Sequence, residues 1–238
     1  GTLYNTYSFF ALYANIDGFT GREEEVAVEK RPEIDRWILS ELNSLIRDVT
    51  ASLEDYDPTP AARRIDQFVD ENLSNWYVRL NRKRFWGGEL TADKLAAYQT
   101  LYTCLETVVM LAAPIAPFIT DRIFCDLNAI SGRHTESSVH LAEYPTSNAA
   151  LIDSQLETMM SLAQRASSMV LALRRKVNIK VRQPLQKIII PVLDKAMAAH
   201  IEKVRALIMG EVNVKDIELI ADTTGIITKR IKPNFKTL

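Results

Sequence analysis

The segment FVDENLSNWYVRLNRKRFW, residues 68–86, decides how the rest of the chain is read. Ile65, Val69, Leu73, Trp76 and Leu80 recur at steps of three and four, which marks one buried stripe along a helix. Asn75, Arg79, Arg82 and Trp86 recur at the same steps and form a second stripe about 100° around the axis. Trp76 is thus assigned to the core, whereas Trp86 need not be. Two accounts fit the second stripe. In one, basic residues in a last turn complement the helix dipole and a tryptophan covers the helix end. In the other, amide, guanidinium and indole on one exposed stripe suit a single-stranded nucleic acid. Arginine then meets phosphate or base edges, and the ring stacks on a base for ~1–3 kcal/mol. The residues alone leave both open.

Working outward, DYDPTP (55–60) supplies a turn, with Thr59 expected as N-cap and Pro60 at the first helical position. Gly87-Gly88 ends the helix. Upstream, Ile34, Ile38, Leu42, Leu45, Val49 and Leu53 predict a helix over 33–53. Leu3 to Asn15 is apolar on nearly every face, which predicts a helix buried on several sides and ended by Asp17-Gly18. Downstream, Thr91 caps a helix whose stripe is Tyr98, Leu101, Leu105, Val108 and Ala112. Pro114 and Pro117 then break it into a shorter helix ending near Asn128. Long helices joined by short connections predict an antiparallel bundle over residues 1–145.

The polar run SGRHTESSVHLAEYPTSN (131–148) reads as the domain boundary. In the second domain, residues 146–238, the positions Ile152, Leu156, Met159, Ala163, Ala166, Val170, Leu173 and Val177 alternate steps of four and three. This seam suits a long helix packed along the bundle or a dimer zipper. KIIIPV, a helix from Asp194 to Met209, and the β-branched runs VKDIELI and GIITKRI complete a small α+β unit. The fold class is therefore mainly α: an antiparallel helical bundle followed by a small α+β domain.

The formal net charge of the 238 residues is −1, so the sum predicts no particular partner, but the distribution is uneven. Acid-free islands cover 72–88, with Arg79, Arg82, Lys83 and Arg84, and 174–193, with Arg174, Arg175, Lys176, Lys180, Arg182 and Lys187. A third runs from Thr223 onward with Lys229, Arg230, Lys232 and Lys236. Cys104 and Cys125 have neither disulfide-framework nor zinc spacing, which favours a reducing compartment. No signal peptide opens the chain, and its longest apolar run, 108–119, is too short to cross a bilayer. A cytoplasmic location without membrane attachment is expected, and the abrupt apolar start without an initiator Met reads as a piece of a larger protein. Signatures of nucleotide, zinc-protease or serine-hydrolase chemistry are absent. His134, His140 and His200 lack partners at ligand spacing, so no catalytic or metal-binding residue is assigned.

NTYSFFALYANIDGF, RPEIDRWILSELNSLI, FVDENLSNWYVRLNRKRFW, SSVHLAEYP, LRRKVNIKVRQPLQKIIIP and KRIKPNFKTL follow one another along the chain. Together they resemble the C-terminal part of the isoleucyl-tRNA synthetase family, across essentially the whole chain. NIKVRQPL and FFALYANIDGF favour isoleucine over the sister class I enzymes for valine, leucine or methionine. The resemblance implies that the bundle binds a tRNA anticodon and that the α+β part is a junction domain gripping the anticodon stem and loop. It also implies that catalytic and editing domains lie outside this chain. ATP and Mg²⁺ would serve the whole enzyme, with no cofactor or metal in this segment. The implied partner is an isoleucine-accepting tRNA, bound by a monomer. The implied contacts are Asn5, Asn75, Arg79, Arg82, Trp86, Lys180, Arg182 and Gln183. Asn5 would share an end of the bundle with Trp86 if the first and third helices run antiparallel. The competing readings are a sister synthetase, or a non-enzymatic helical interaction module using the 152–177 seam.

Overall fold

A computed structural model describes residues 1–221, and they divide into two compact units, Gly1–Glu157 and Thr158 onward. GIITKRI, KRIKPNFKTL and the third basic island lie outside the described residues. The chain is mainly helical, with a small two-stranded parallel sheet near its end.

The first unit is a helical bundle. It comprises α1 (Thr2–Asp17), α2 (Glu33–Glu54), a long third helix, α5 (Ala92–Ala112) and α6 (Pro117–Ser131). The third helix is continuous from Pro58 to Phe85 and has three parts: α3 (Pro58–Gln67), a π-helical segment (Phe68–Val78) and α4 (Arg79–Phe85). Asp57 caps it by accepting from the Thr59 N–H at 3.2 Å, so the start falls before the Thr59 cap predicted from the sequence. Thr91 caps α5 as expected, accepting from the Lys94 N–H at 3.2 Å. Gly18, in left-handed backbone at φ 70°, ends α1.

The third helix explains its own burial pattern. Ala61, Ile65, Val69, Leu73, Tyr77, Asn81 and Phe85 are all buried, one at every fourth position. In a regular α-helix a step of four overshoots one turn by about 40°, so that line would wind most of the way around the axis. The wider i→i+5 turns of the π segment absorb much of the drift. Leu80, expected in the core from ordinary helical spacing, is consequently only half-buried, and Asn81 takes the inward place. The Asn81 side-chain amide is satisfied there, donating to the Tyr77 carbonyl at 2.8 Å.

α1 also differs from expectation. Thr6, Phe10 and Ala14 form a single buried line at steps of four, whereas Tyr4, Leu12 and Ile16 are exposed. The bundle covers one side of α1, with Phe10 packed edge-on against Phe19, Tyr98 and Tyr102. α5 is the central element, burying residues on every face. Among the described residues it is the one helix long and apolar enough to cross a membrane, but 72% of that window is buried inside the fold.

Near the start of α7 (Ser154–Lys176), Glu157 accepts from the hydroxyls of Ser40 and Ser44 on α2, at 2.5 and 2.9 Å. This brings its carboxylate toward Glu41, which accepts from the Trp37 indole N–H at 3.2 Å. Burial and then the Glu157 charge push the Glu41 pKa up to about 7, against the smaller opposing pull of Trp37 and Arg64. Because the folded value exceeds the unfolded one, the associated stability is present below about pH 4.5 and is lost as pH rises through 7. Glu41→Gln is expected to stabilise the chain by about 1–3 kcal/mol at pH 8 and by almost nothing at pH 4.5, read from thermal melts. An equal gain at both pH values would mean that charge is not the cause.

The second unit holds the remainder of α7, β1 (Ile188–Pro191), α8 (Lys195–Lys203), α9 (Arg205–Val212) and β2 (Ile217–Ile220). The single helix expected over 194–209 is broken at Val204, and Asp194 caps its first half by accepting from the Met197 N–H at 2.7 Å. β1 and β2 pair in parallel with Ile188 opposite Ile217. Ile201, Val204, Ile208, Val212, Val214 and Ile217 form the buried apolar set around this crossover.

The α7 seam holds only in part. Leu156, Met160, Ala163, Ser167 and Arg174 are buried, whereas Leu173 and Val177 are 60% and 62% exposed. From 156 to 174 is 18 residues, five turns of a straight α-helix, so the buried line follows the 3.6-residue period. A strict 3.5-residue seam drifts away from such a line by about 20° per heptad.

Candidate nucleic-acid interface

The second stripe of the third helix lies on the outside. Asn75, Arg79 and Arg82 are exposed, and Trp86 keeps 52% of its surface in solvent. Trp76 is 5% exposed, so the two tryptophans divide as expected. The Arg79 Nε–H donates to the Asn75 carbonyl at 2.7 Å, and its guanidinium lies 6.0 Å from the centre of the Trp76 ring. Arg82 and its neighbour Lys83 make no ion pair among the described residues. Two cations without counter-charges beside a half-exposed indole favour an anionic, flat ligand over simple capping of the helix end.

Arg84, adjacent in the same basic run, has the opposite role. Its guanidinium clasps the fully buried Asp35 of α2 through two bonds of 2.6 and 2.8 Å. The Tyr77 hydroxyl donates to the same carboxylate at 2.8 Å, and Arg84 also pairs with Asp93 at 2.9 Å. Burial disfavours its charge, but bonding to Asp35 outweighs that and drives the Arg84 pKa upward. This clasp joins α2, the third helix and the first turn of α5, and so fixes the end from which Trp86 projects.

Trp86 leaves the helix in extended backbone, φ −82° and ψ 127°, and Gly87 and Gly88 follow at φ 50° and 79°. The buried Lys94 ammonium donates to the Gly87 carbonyl at 3.1 Å and pairs with Asp17 at 2.5 Å. Tyr98 donates to the same Asp17 oxygen at 2.5 Å. Burial opposes ionisation of Asp17, but bonds from Lys94 and Tyr98 prevail and hold its pKa below the usual carboxylate range. The turn after the tryptophan is thereby tied to both α1 and α5.

Asn5 is exposed in the first turns of α1, at the other end of the bundle from Trp86. α1 and the third helix run in the same sense: Gly1–Tyr4 line a groove with Ala62–Asp70, and the Phe9 ring sits 5.3 Å from Phe85. The antiparallel arrangement that would join Asn5 to Trp86 is therefore not the one adopted. In the second unit, Lys180, Arg182 and Gln183 are exposed on the loop between α7 and β1. Arg174, read from the sequence only as part of a basic island, is 2% exposed. Its position on the 3.6-residue line from Leu156 is the signal that distinguishes it.

The two histidines of the boundary loop make local contacts. His134 bonds to Glu106 at 3.0 Å and packs against the Phe124 ring at 4.9 Å, and His140 meets the Pro117 carbonyl at 3.2 Å. Among the described residues no three His, Cys, Asp or Glu side chains are grouped to hold a metal ion. Cys104 is buried, which pushes its thiol pKa well up and leaves it inert.

Comparison with known proteins agrees with this geometry. Residues 35–189, which include both basic surfaces, match the family model for the anticodon-binding domain of tRNA ligase. Over all 238 residues the chain is 62% identical to an isoleucine-tRNA ligase of Bacteroides thetaiotaomicron, covering 20% of that protein. It is 59% identical to that of Cytophaga hutchinsonii over the same 238 residues, covering 21% of it. Against the isoleucine-tRNA ligase of Clostridium novyi it is 41% identical over 237 residues, 22% of that protein. The chain thus spans about a fifth of the length of the curated relatives it matches.

Proposed function

This chain belongs to the family of anticodon-binding domains of tRNA ligases, and from that premise we propose that it holds the anticodon arm of an isoleucine-accepting tRNA. It does so as one part of an isoleucine-tRNA ligase whose catalysis, with ATP and Mg²⁺, takes place elsewhere in the protein. This segment contributes recognition, needs no cofactor of its own, and acts in the cytoplasm as a monomer. The observation that carries the reading is the acid-free outer stripe of the third helix, where Asn75, Arg79 and Arg82 lead to a half-exposed Trp86. Asn75 reads a base edge, Arg79 and Arg82 meet phosphate or base, and Trp86 stacks on an unpaired base. Lys180, Arg182 and Gln183 hold the backbone of the same arm, and Asn5, at the opposite end of the bundle, makes a separate contact.

The reading is tested by titrating labelled tRNA with the 238-residue chain at several salt concentrations. With about three phosphates neutralised, by Arg79, by Arg82 and by Lys180 together with Arg182, log affinity is expected to fall against log salt with a slope of about −2 to −3. An isoleucine-accepting tRNA is expected to bind more tightly than one for valine. Binding indifferent to salt, or equal for both tRNAs, would sink the proposal. Sedimentation of the free chain is expected to give a monomer.

A further inference from the structure

The loop from Asn178 to Leu185 is built around a buried cation. Arg174, on the last turns of α7, donates from one terminal nitrogen to the carbonyls of Lys180 and Gln183, at 3.1 and 3.0 Å. The other terminal nitrogen donates to the Asn213 carbonyl at 3.0 Å. Among the described residues no carboxylate pairs with this guanidinium, and its Nε–H has no acceptor. A buried charge neutralised only by carbonyl dipoles is costly and calls for a reason other than stability. Asn213, in left-handed backbone at φ 52°, adds a bond of 2.9 Å from its side-chain amide to the Val181 carbonyl. The carbonyls of Lys180, Val181 and Gln183 are therefore all drawn to partners within the second unit.

The amides of the same loop are left over. Asn178, Ile179 and Gln183 donate to Arg175, Arg174 and Lys180 carbonyls respectively. Among the described residues the N–H groups of Lys180, Val181 and Arg182 have no acceptor, and all three residues are exposed. Successive unclaimed backbone amides form an anion-binding concavity, and here two of the three residues also carry basic side chains.

We propose that the amides of Lys180, Val181 and Arg182, with the side chains of Lys180 and Arg182, form a binding site for one backbone phosphate of the RNA. Arg174 is its positioning residue. At 2% exposure Arg174 does not itself reach the ligand; it acts by holding the carbonyls inward, which keeps the amides free. This proposal rests on the tRNA reading for the identity of the phosphate but not for the existence of the site.

Two probes separate those levels. Inorganic phosphate is titrated into the ¹⁵N-labelled 238-residue chain, and the salt slope of tRNA binding is measured for the same proteins. Phosphate is expected to shift the amide resonances of Lys180, Val181 and Arg182 in the native chain and not in Arg174→Met. The salt slope of Arg174→Met should be shallower by about 0.7–1. Asn213→Gly keeps the positive φ, removes the bond to Val181 without touching the charge, and should weaken both readouts in the same direction. It carries the test if Arg174→Met does not fold. The proposal is overturned if phosphate leaves these amides unmoved in the native chain. It is overturned equally if either folded variant binds tRNA with the native slope. If phosphate shifts the amides but no tRNA binds, the site stands and the tRNA reading falls.

Discussion

Replacing Arg84 with methionine is expected to lower the unfolding free energy by about 3–5 kcal/mol, whereas the same change at Arg82 shifts it by no more than about 0.5 kcal/mol. The two residues lie two positions apart in one basic run, yet Arg84 clasps the fully buried Asp35 and Arg82 projects into solvent without a counter-ion. The loss at Arg84 is the cost of leaving the Asp35 carboxylate buried with only Tyr77 to donate to it. Combining Arg84→Met with Asp35→Asn, which keeps an acceptor for the Tyr77 hydroxyl, should restore a large part of the loss. Urea unfolding of the three variants and the native chain measures this. Equal stability of the Arg82 and Arg84 variants would mean that the buried pair does not hold the helix ends together.

Trp76→Ala and Trp86→Ala are expected to separate stability from binding. Trp76 is 5% exposed and its indole N–H makes no hydrogen bond, so truncation removes packing and the Arg79 contact with its ring and costs about 3–5 kcal/mol of stability. Trp86 is half in solvent, and its removal should change stability little. It should instead weaken tRNA binding by about 1–3 kcal/mol, roughly 5- to 150-fold in Kd. The readouts are the melting temperature and tRNA affinity per folded molecule. If Trp86→Ala lowers the melting temperature as far as Trp76→Ala and leaves affinity unchanged, the exposed indole is a helix cap and not a stacking platform.

Much of this arrangement is legible in the sequence. The division between Trp76 and Trp86, the cap at Thr91 and the glycine stops are local consequences of spacing and backbone preference. The identity of the inward cation is not, because nothing within one turn of Arg84 explains it. Its partner Asp35 lies 49 residues upstream. Leu80 was misplaced because a uniform 100° per residue does not describe a helix containing wide turns. The end of the bundle that carries Asn5 is not legible in the sequence, because the direction of α1 against the third helix is set by which aromatic rings meet, Phe9 with Phe85, and periodicity carries no direction. Arg174 was hidden by charge: a basic residue among basic residues reads as surface until the buried line of α7 is traced through it. For Arg84 and Asn5, what escapes the sequence is a relation between distant segments.

The wide turns of residues 68–78 also bear on how such a surface diversifies. Phe85 lies in the core and Arg84 reaches inward to Asp35 on the same turn that displays Arg82 and leads into Trp86, so the outer stripe and the inner clasp share one axle. Rotating the helix to re-aim the stripe would unseat the clasp. New specificities on this scaffold must therefore come from exchanging the side chains along a fixed line, in the way type is changed in a frame whose bed does not move.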